Sequence, residues 1–356
     1  MKIAVLGAGG TIAPAIVRDL AESEEAERLL LLDLDGERAA AVAERHGAGK
    51  ADAREVDARS GLAAALADTE VLVNSASYRI NLDAMHACLE ADCHYVDLGG
   101  LYHVTEQQLE LHGQFEAAGL LGLLGMGSSP GKTNVMAAQA VAQVGRTPER
   151  IDVIAAGRDL DPPEGFSVPY SLRTLMDEVT MAPMAVRDGD AVELEPLTPA
   201  GDEEFPVFGH GETIYTLHSE VLTFPTSFGC RECSFRLSLA PALLEQLREL
   251  TDAPEEEIEA AARNTVPASG NTVSVHVVQA DEVRVTAVTR PMDQWGLGGG
   301  VVSTAAPSAA AVRLLASGRI EARGAMPPEL CVRPEDLFPE LERRNCTFDL
   351  EVNAPL

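Results

Sequence analysis

The chain has 356 residues, 46% apolar and 23% charged, a globular composition long enough for two domains. Its 56 Asp and Glu against 27 Lys and Arg give a formal net charge of −29, which argues against nucleic acid and anionic membranes as partners, because both need clustered bases. No apolar run approaches the roughly 18 residues of a membrane span, and the N-terminus has no signal-peptide pattern, so a cytoplasmic protein is expected.

The first segment, Lys2-Ile3-Ala4-Val5-Leu6, reads as a buried parallel strand. It breaks into Gly7-Ala8-Gly9-Gly10-Thr11-Ile12 and resumes as a helical pattern at Ala13, Ile16, Val17 and Leu20. Strand, glycine turn and helix form the context in which backbone N–H groups at a helix start hold a pyrophosphate. Ile12 replaces the third glycine of G-x-G-x-x-G, whereas Gly7-x-x-Gly10-x-x-Ala13 fits the related pattern with a small residue at the helix–strand contact. A second apolar run, 29–32, ends in Asp33. An acid about 20 residues beyond the turn accepts hydrogen bonds from the adenosine ribose. Leu34 follows and Arg38 is the nearest downstream base, so NAD is favoured over NADP.

A helix over 37–46 and a third strand ending at Val56-Asp57 come next. Asp57 and Ala58 sit where a strand end could face the adenine, and Asp57 equally fits a helix cap. Helix 62–66 precedes strand 71–73, which ends in Asn74-Ser75-Ala76, small enough for a cofactor to lie along the backbone. Helix 82–91 leads to strand 94–96 and then Asp97-Leu98-Gly99-Gly100. A carboxylate there points to the crevice, or makes a turn bond to a glycine N–H. Helix 105–118 and the run 120–124 end in Gly125-Met126-Gly127-Ser128-Ser129-Pro130-Gly131-Lys132-Thr133-Asn134, a second small-residue turn opening a helix over 135–144. Ser128 joins the cofactor candidates. Met126 stands where a Walker motif needs glycine, which removes ATP binding. Residues 1–125 therefore read as an α/β, doubly wound parallel sheet of Rossmann type.

Beyond 144 the texture changes to alternating segments at 151–155, 213–217 and 234–239, and a hairpin of 273–277 with 283–287. An inserted α+β substrate-binding and dimerisation domain is expected over 126–300, with loops at Asp188-Gly189-Asp190 and Pro199-Ala200-Gly201-Asp202. The segment 301–356, with a helix over 304–316 and a polar loop at Pro327-Pro328-Glu329, is expected to return to the first domain. Six scattered cysteines read as reduced thiols, and Cys230-Arg231-Glu232-Cys233 is a lone CxxC without a second pair. The histidines form no ligand spacing, so no metal is predicted.

GAGGTIA (7–13), HYVDLGG (94–100), GMGSSPGKTN (125–134), PYSLRTLMDE (169–178), YTLHSE (215–220) and GAMPPE (324–329) occur in the order seen in the saccharopine dehydrogenase-like family. The chain resembles that family over nearly its whole length, and its lysine 6-dehydrogenase branch most. Ile12, and Lys132 where the family commonly has an apolar residue, depart from the pattern. The resemblance implies a homodimer or higher oligomer, NAD(P) as hydride acceptor, and oxidation of an amino acid's C–N bond. In the lysine branch hydride leaves the ε-carbon of L-lysine, the imine hydrolyses with loss of ammonia, and the semialdehyde cyclises.

That chemistry needs a base, because an amine near pKa ~10.4 must lose its proton before hydride leaves. It also needs an Arg for the substrate carboxylate and activation of a water. Asp97 and His218 are the candidate bases, with Tyr78 as a relaying or positioning hydroxyl. If the strand continues through 215–220, His218 and Glu220 share one face and line one wall. Arg173, then Arg231, then Arg79 are the candidate carboxylate clamps. Two rival readings are a saccharopine or carboxynorspermidine type of imine reductase, and an NAD(H)-binding protein without turnover.

Overall fold

The computed structural model describes residues 1–251 and 253–353. The first half runs β1 (Lys2–Leu6), α1 (Ala13–Ala21), β2 (Arg28–Asp33), α2 (Gly36–His46), β3 (Ala51–Glu55), α3 (Leu62–Ala65) and β4 (Val71–Asn74). It continues through α4 (Asn81–Ala91), β5 (His94–Asp97), α5 (Leu101–Leu109), α6 (His112–Ala117), β6 (Leu121–Leu123) and α7 (Lys132–Val144). Then come β7 (Arg150–Asp159), α8 (Leu172–Thr180), β8 (Met184–Arg187), β9 (Asp190–Glu193), β10 (Pro199–Phe205), β11 (Gly209–Tyr215), α9 (Glu220–Phe228) and β12 (Glu232–Ser238). The remainder is α10 (Pro241–Leu250), α11 (Glu255–Arg263), β13 (Thr272–Ala280), β14 (Val283–Thr289), α12 (Gly299–Ala316), β15 (Gly324–Met326), α13 (Pro334–Glu342) and β16 (Cys346–Val352).

Two units result, Met1–Val135 with Thr304–Leu341, and Met136–Ser303 with Glu342–Leu356. The first holds a seven-stranded sheet in the order β15-β6-β5-β4-β1-β2-β3, every pair parallel. Its central strands are continuously apolar because helices cover both faces of such a sheet. The core packs Leu6, Leu32, Leu72, Met85, Tyr95 and Phe115. Arg313 of α12 donates to Asp19 of α1 at 2.8 Å and to Glu340 of α13 at 2.8 Å, so the returning helices are pinned to the opening one by a buried ion pair. The second unit carries a mixed sheet, β10-β11-β12-β7-β13-β14-β16, with β8 and β9 branching from β12. α12 is 18 residues long, with a mean hydropathy of 1.2, and is 78% buried inside the protein.

Several sequence-based boundaries move. The first crossing falls after Val135 instead of 125, because the turn 125–134 stays with the first sheet through β6 and β15. The tail divides: residues 304–341 return to the first unit, but β16 pairs with β14 and belongs to the second. The expected loop at Pro199 to Asp202 is strand β10, whose register shifts between Pro199 and Gly201; the loop signal was a bulge. The expected helix 105–118 is two helices, parted where Leu111 N–H bonds to Gln108 O.

Candidate functional site

The strand order of the first unit reverses between β1 and β4, the place where open α/β sheets bind ligands. Gly7 there has φ +75°, and a Cβ on it would lie 2.6 Å from the backbone of Ala76. The turn therefore runs directly against the end of β4. Gly7 and Ala8 N–H both donate to Leu32 O, at 2.9 and 3.1 Å. Gly9 N–H donates to Asp33 Oδ2 at 2.8 Å and Asp35 N–H to Oδ1 at 2.9 Å. Each carboxylate oxygen keeps a lone pair for a ribose hydroxyl. Thr11 and Ile12 N–H have no acceptor among the described residues, and α1 has no side-chain cap. Open donors at a helix start are what a pyrophosphate takes. Exposed Gly10 and Thr11, and Leu34 at 72% exposure, leave room beside them. These residues fit a dinucleotide. Arg38 stands closer than its spacing suggested, since a Cβ on Gly9 would lie 2.9 Å from Arg38 Cβ.

Ala76 meets the glycine turn, while Ser75 Oγ donates to Leu6 O at 2.8 Å and Asn74 pairs with Leu6 at the end of β1. Asp57 is occupied by its own turn: its carboxylate accepts Arg59 N–H at 2.9 Å and its carbonyl accepts Ser60 and Gly61 N–H. Ala58 packs against the core. Ser128 Oγ lies 3.3 Å from Thr304 Oγ1.

Asp97 is buried and saturated. Oδ1 accepts Gly99 N–H at 3.0 Å and Gly125 N–H at 2.6 Å. Oδ2 accepts Gln108 Nε2 at 2.6 Å, Tyr95 OH at 3.0 Å and Asn81 Nδ2 at 3.1 Å. Asn74 extends the network, donating to Asn81 Oδ1 at 2.9 Å and accepting Ala76 N–H at 3.1 Å. Burial pushes the Asp97 carboxyl up, against the opposing pull of Gln108, Gly125, Tyr95 and Gly99. With five donors, this carboxylate has no lone pair facing a substrate proton among the described residues. It joins the ends of β4, β5 and β6 as the turn-bonded acid that the spacing also allowed.

The second unit gathers a different cluster. β11 ends at Tyr215, so the strand does not run through 215–220; Glu220 opens α9 instead. The two predicted residues still meet, His218 Nδ1 lying 3.3 Å from Glu220 Oε2. His218 is stacked on Phe235, ring centroids 3.5 Å apart and 12° from parallel, which fixes the imidazole plane. Both His218 and Glu220 are buried. Burial opposes charge on His218, but the hydrogen bond and charge of Glu220 and the charge of Glu178 prevail and raise its pKa. Glu178 of α8 is itself buried and accepts Tyr170 OH at 2.5 Å. Burial raises the Glu178 carboxyl despite His218 and Tyr170, and burial with the charge of Glu178 drives the Tyr170 phenol well up.

The predicted clamps are elsewhere. Arg173 is exposed and paired with Glu255 of α11. Arg231 is exposed and donates to Asp188 O at 3.0 Å. Arg79 covers the ring of Tyr78 at 4.8 Å in the turn after β4. Tyr170 and Glu178 were missed, although Glu178 interrupts the apolar stripe of Leu172, Leu175, Met176 and Val179, and a buried acid is the signal there. A cleft of about 670 Å³ in this unit is lined by Glu203, Arg284 and Thr286 among others, and its Arg284 is taken by Glu203 at 2.6 Å.

Residues 3–123 match the model of the saccharopine dehydrogenase NADP binding domain. Carboxyaminopropylagmatine dehydrogenase of Synechocystis is 26% identical over 263 residues, 70% of this chain and 65% of the relative. Carboxynorspermidine synthase of Vibrio alginolyticus is 23% identical over 193 residues, 51% of this chain and 46% of the relative. The matched stretch thus spans less than two thirds of either relative. Apo saccharopine dehydrogenase (L-Glu forming) from Saccharomyces cerevisiae superposes with a TM-score of 0.71 at 14% identity, over 99% of this chain and 100% of that one. The chain therefore has the fold of saccharopine dehydrogenase, and its residues 3–123 are similar to the nucleotide-binding domain of that family.

Proposed function

We propose that the protein is a nicotinamide-dependent oxidoreductase acting at the C–N bond of an amine substrate that also bears a carboxylate. The observation that carries this reading is the buried His218, in contact with Glu220 and within reach of the charge of Glu178, in a chain with an open dinucleotide turn. The cofactor, when bound on the turn 7–12 and Asp33, supplies hydride transfer. His218 supplies proton transfer. Its Nδ1 is directed to Glu220, which leaves Nε2 as the working atom. In the oxidative direction neutral His218 takes the amine proton; in the reductive direction the imidazolium returns it. Once it has released that proton to solvent, the same neutral imidazole activates the water that hydrolyses an imine. Glu178 and Glu220 favour a cationic partner over an anionic one.

Two substrates divide the reading. L-lysine oxidised at its ε-carbon follows from the motif resemblance. A carboxylated polyamine, made or broken as a secondary amine, is favoured by the names of both curated relatives. Asp33 supports NAD, whereas Arg38 at the same turn and the name of the matched domain speak for NADP. We retain NAD. The test is NAD(P)H absorbance across L-lysine, saccharopine, diamines and carboxylated diamines with both cofactors, in both directions. Turnover of a single class identifies the substrate. Tight NADH binding with no turnover of any amine sinks the enzyme reading and leaves a cofactor-binding protein.

A further inference from the structure

Arg158 lies at the end of β7, on the sheet face opposite His218. The register fixes this: Phe235, which carries the stacked His218, sits beside Val153, while Arg158 shares parity with Ile154 and Ala156. Nη1 donates to Gly157 O at 2.8 Å and Ser238 O at 3.0 Å, and Nη2 donates to Ser238 Oγ at 2.9 Å. The guanidinium carbon rests 4.8 Å over the ring of Phe208. Of the five N–H groups, Ser238 takes the pair at the tip and Gly157 one more. The Nε–H and the second Nη2–H remain, and they lie parallel on one side of the plane, matched to the two oxygens of a carboxylate.

No carboxylate reaches that edge among the described residues, in a chain with 56 acids and 27 bases. On the same sheet face Arg236 and Arg284 share Glu203, at 4.0 and 2.6 Å. Arg158 has no such neighbour, and burial alone acts on it, lowering its pKa. A half-buried cation without a counter-ion is costly, so its place is normally justified by a partner. Gly211 packs against the guanidinium: a Cβ on it would stand 3.1 Å from Arg158 Nη2 and 2.7 Å from Ser238 Oγ, so a side chain there would crowd Arg158.

We propose that the open edge of Arg158 is a carboxylate-binding site, separate from the His218 cluster, that takes one carboxylate bidentately with its apolar body against Phe208. A single cation in a protein of net charge −29 suits a monoanion better than a phosphate. The carboxylate can come from a free small acid or from an Asp or Glu of a second copy. This inference does not rest on the enzymatic reading.

The test titrates the full chain with sodium butyrate, inorganic phosphate and sodium chloride at matched ionic strength, by calorimetry, and measures sedimentation equilibrium in parallel. Arg158→Lys keeps the charge but not the fork, and Arg158→Gln removes the charge; circular dichroism confirms that each is folded. Saturable butyrate binding that weakens about tenfold or more in Arg158→Lys, with phosphate binding no better than chloride, supports a small acid as the ligand. No butyrate binding, but self-association weakened about tenfold or more in Arg158→Lys, supports the carboxylate of a second copy. Wild type and whichever variant folds behaving alike in both measurements overturns the site.

Discussion

At the scale of single residues, the His218–Glu220 contact makes a directional prediction. Glu220 and Glu178 raise the imidazole pKa, and amine oxidation needs the neutral ring, so the rate climbs as pH rises through that raised pKa. Glu220→Gln removes one of the two supporting charges. The climb then begins at a pH lower by about one unit, read from log kcat/KM against pH. An unmoved profile excludes His218 as the titrating base. Asp33 offers a second handle. Asp33→Ser removes the carboxylate that faces the ribose while leaving Arg38 in place; KM for NAD is expected to rise about tenfold and NADP use to improve. Residue pairs of this kind were only half legible. YTLHSE showed that His218 and Glu220 would meet, but by strand alternation, whereas the meeting occurs across a loop and the first turn of α9. Arginines were the least legible: Arg173 and Arg231 find acids or carbonyls on neighbouring segments far away in sequence, and nothing local announces that.

Among elements, the ends of β4, β5 and β6 act as one piece, because Asp97 collects donors from α4, α5 and two turns. Asp97→Asn places an amide against N–H groups that need an acceptor. A loss of about 2–3 kcal/mol in urea unfolding is expected. NADH binding should weaken alongside, since Asn74 links this network to Ala76 against Gly7. Lost turnover with stability and NADH affinity both intact would restore Asp97 as a base. The strands themselves were readable from their apolar runs and terminal small residues. The network was not, because five partners spread from residue 81 to residue 125 converge only after the sheet forms.

For the whole molecule, three buried groups share a sign. Asp97, Glu178 and His218 all have pKa values raised on folding. A raised group contributes stability that is full below its unfolded pKa and is lost as pH rises through the folded value. These three groups therefore make stability fall from about pH 4 upward, through and beyond about pH 6.5, while His46 and His94, whose pKa values burial lowers, pull the other way near pH 6.5. The self-repulsion of 29 net negative charges pushes the same way, but salt screens it and leaves buried groups largely unscreened. Thermal unfolding at pH 5.5 and 8.5 is expected to show a higher midpoint at pH 5.5, and part of that gap should survive about 1 M NaCl. Disappearance of the gap in salt would assign it wholly to the surface. The two-sheet plan was visible in the change from parallel-type runs to alternation near residue 144. The second sheet's claim on β16 was not, because nothing in the local pattern of 346–352 names a partner more than fifty residues away.

That last pairing bears on how the protein is made. Both sheets are finished by strands that follow all their neighbours in the chain, β15 in one and β16 in the other. A nascent chain emerging from the ribosome can build β1 to β6 and β7 to β14, but the outer rims beside β6 and β14 stay bare until residues 326 and 352 have cleared the exit tunnel. Bare rims recruit foreign strands. Translation products that stop before residue 352 should thus be the aggregating species, and shielding by a chaperone should matter most until that residue has emerged.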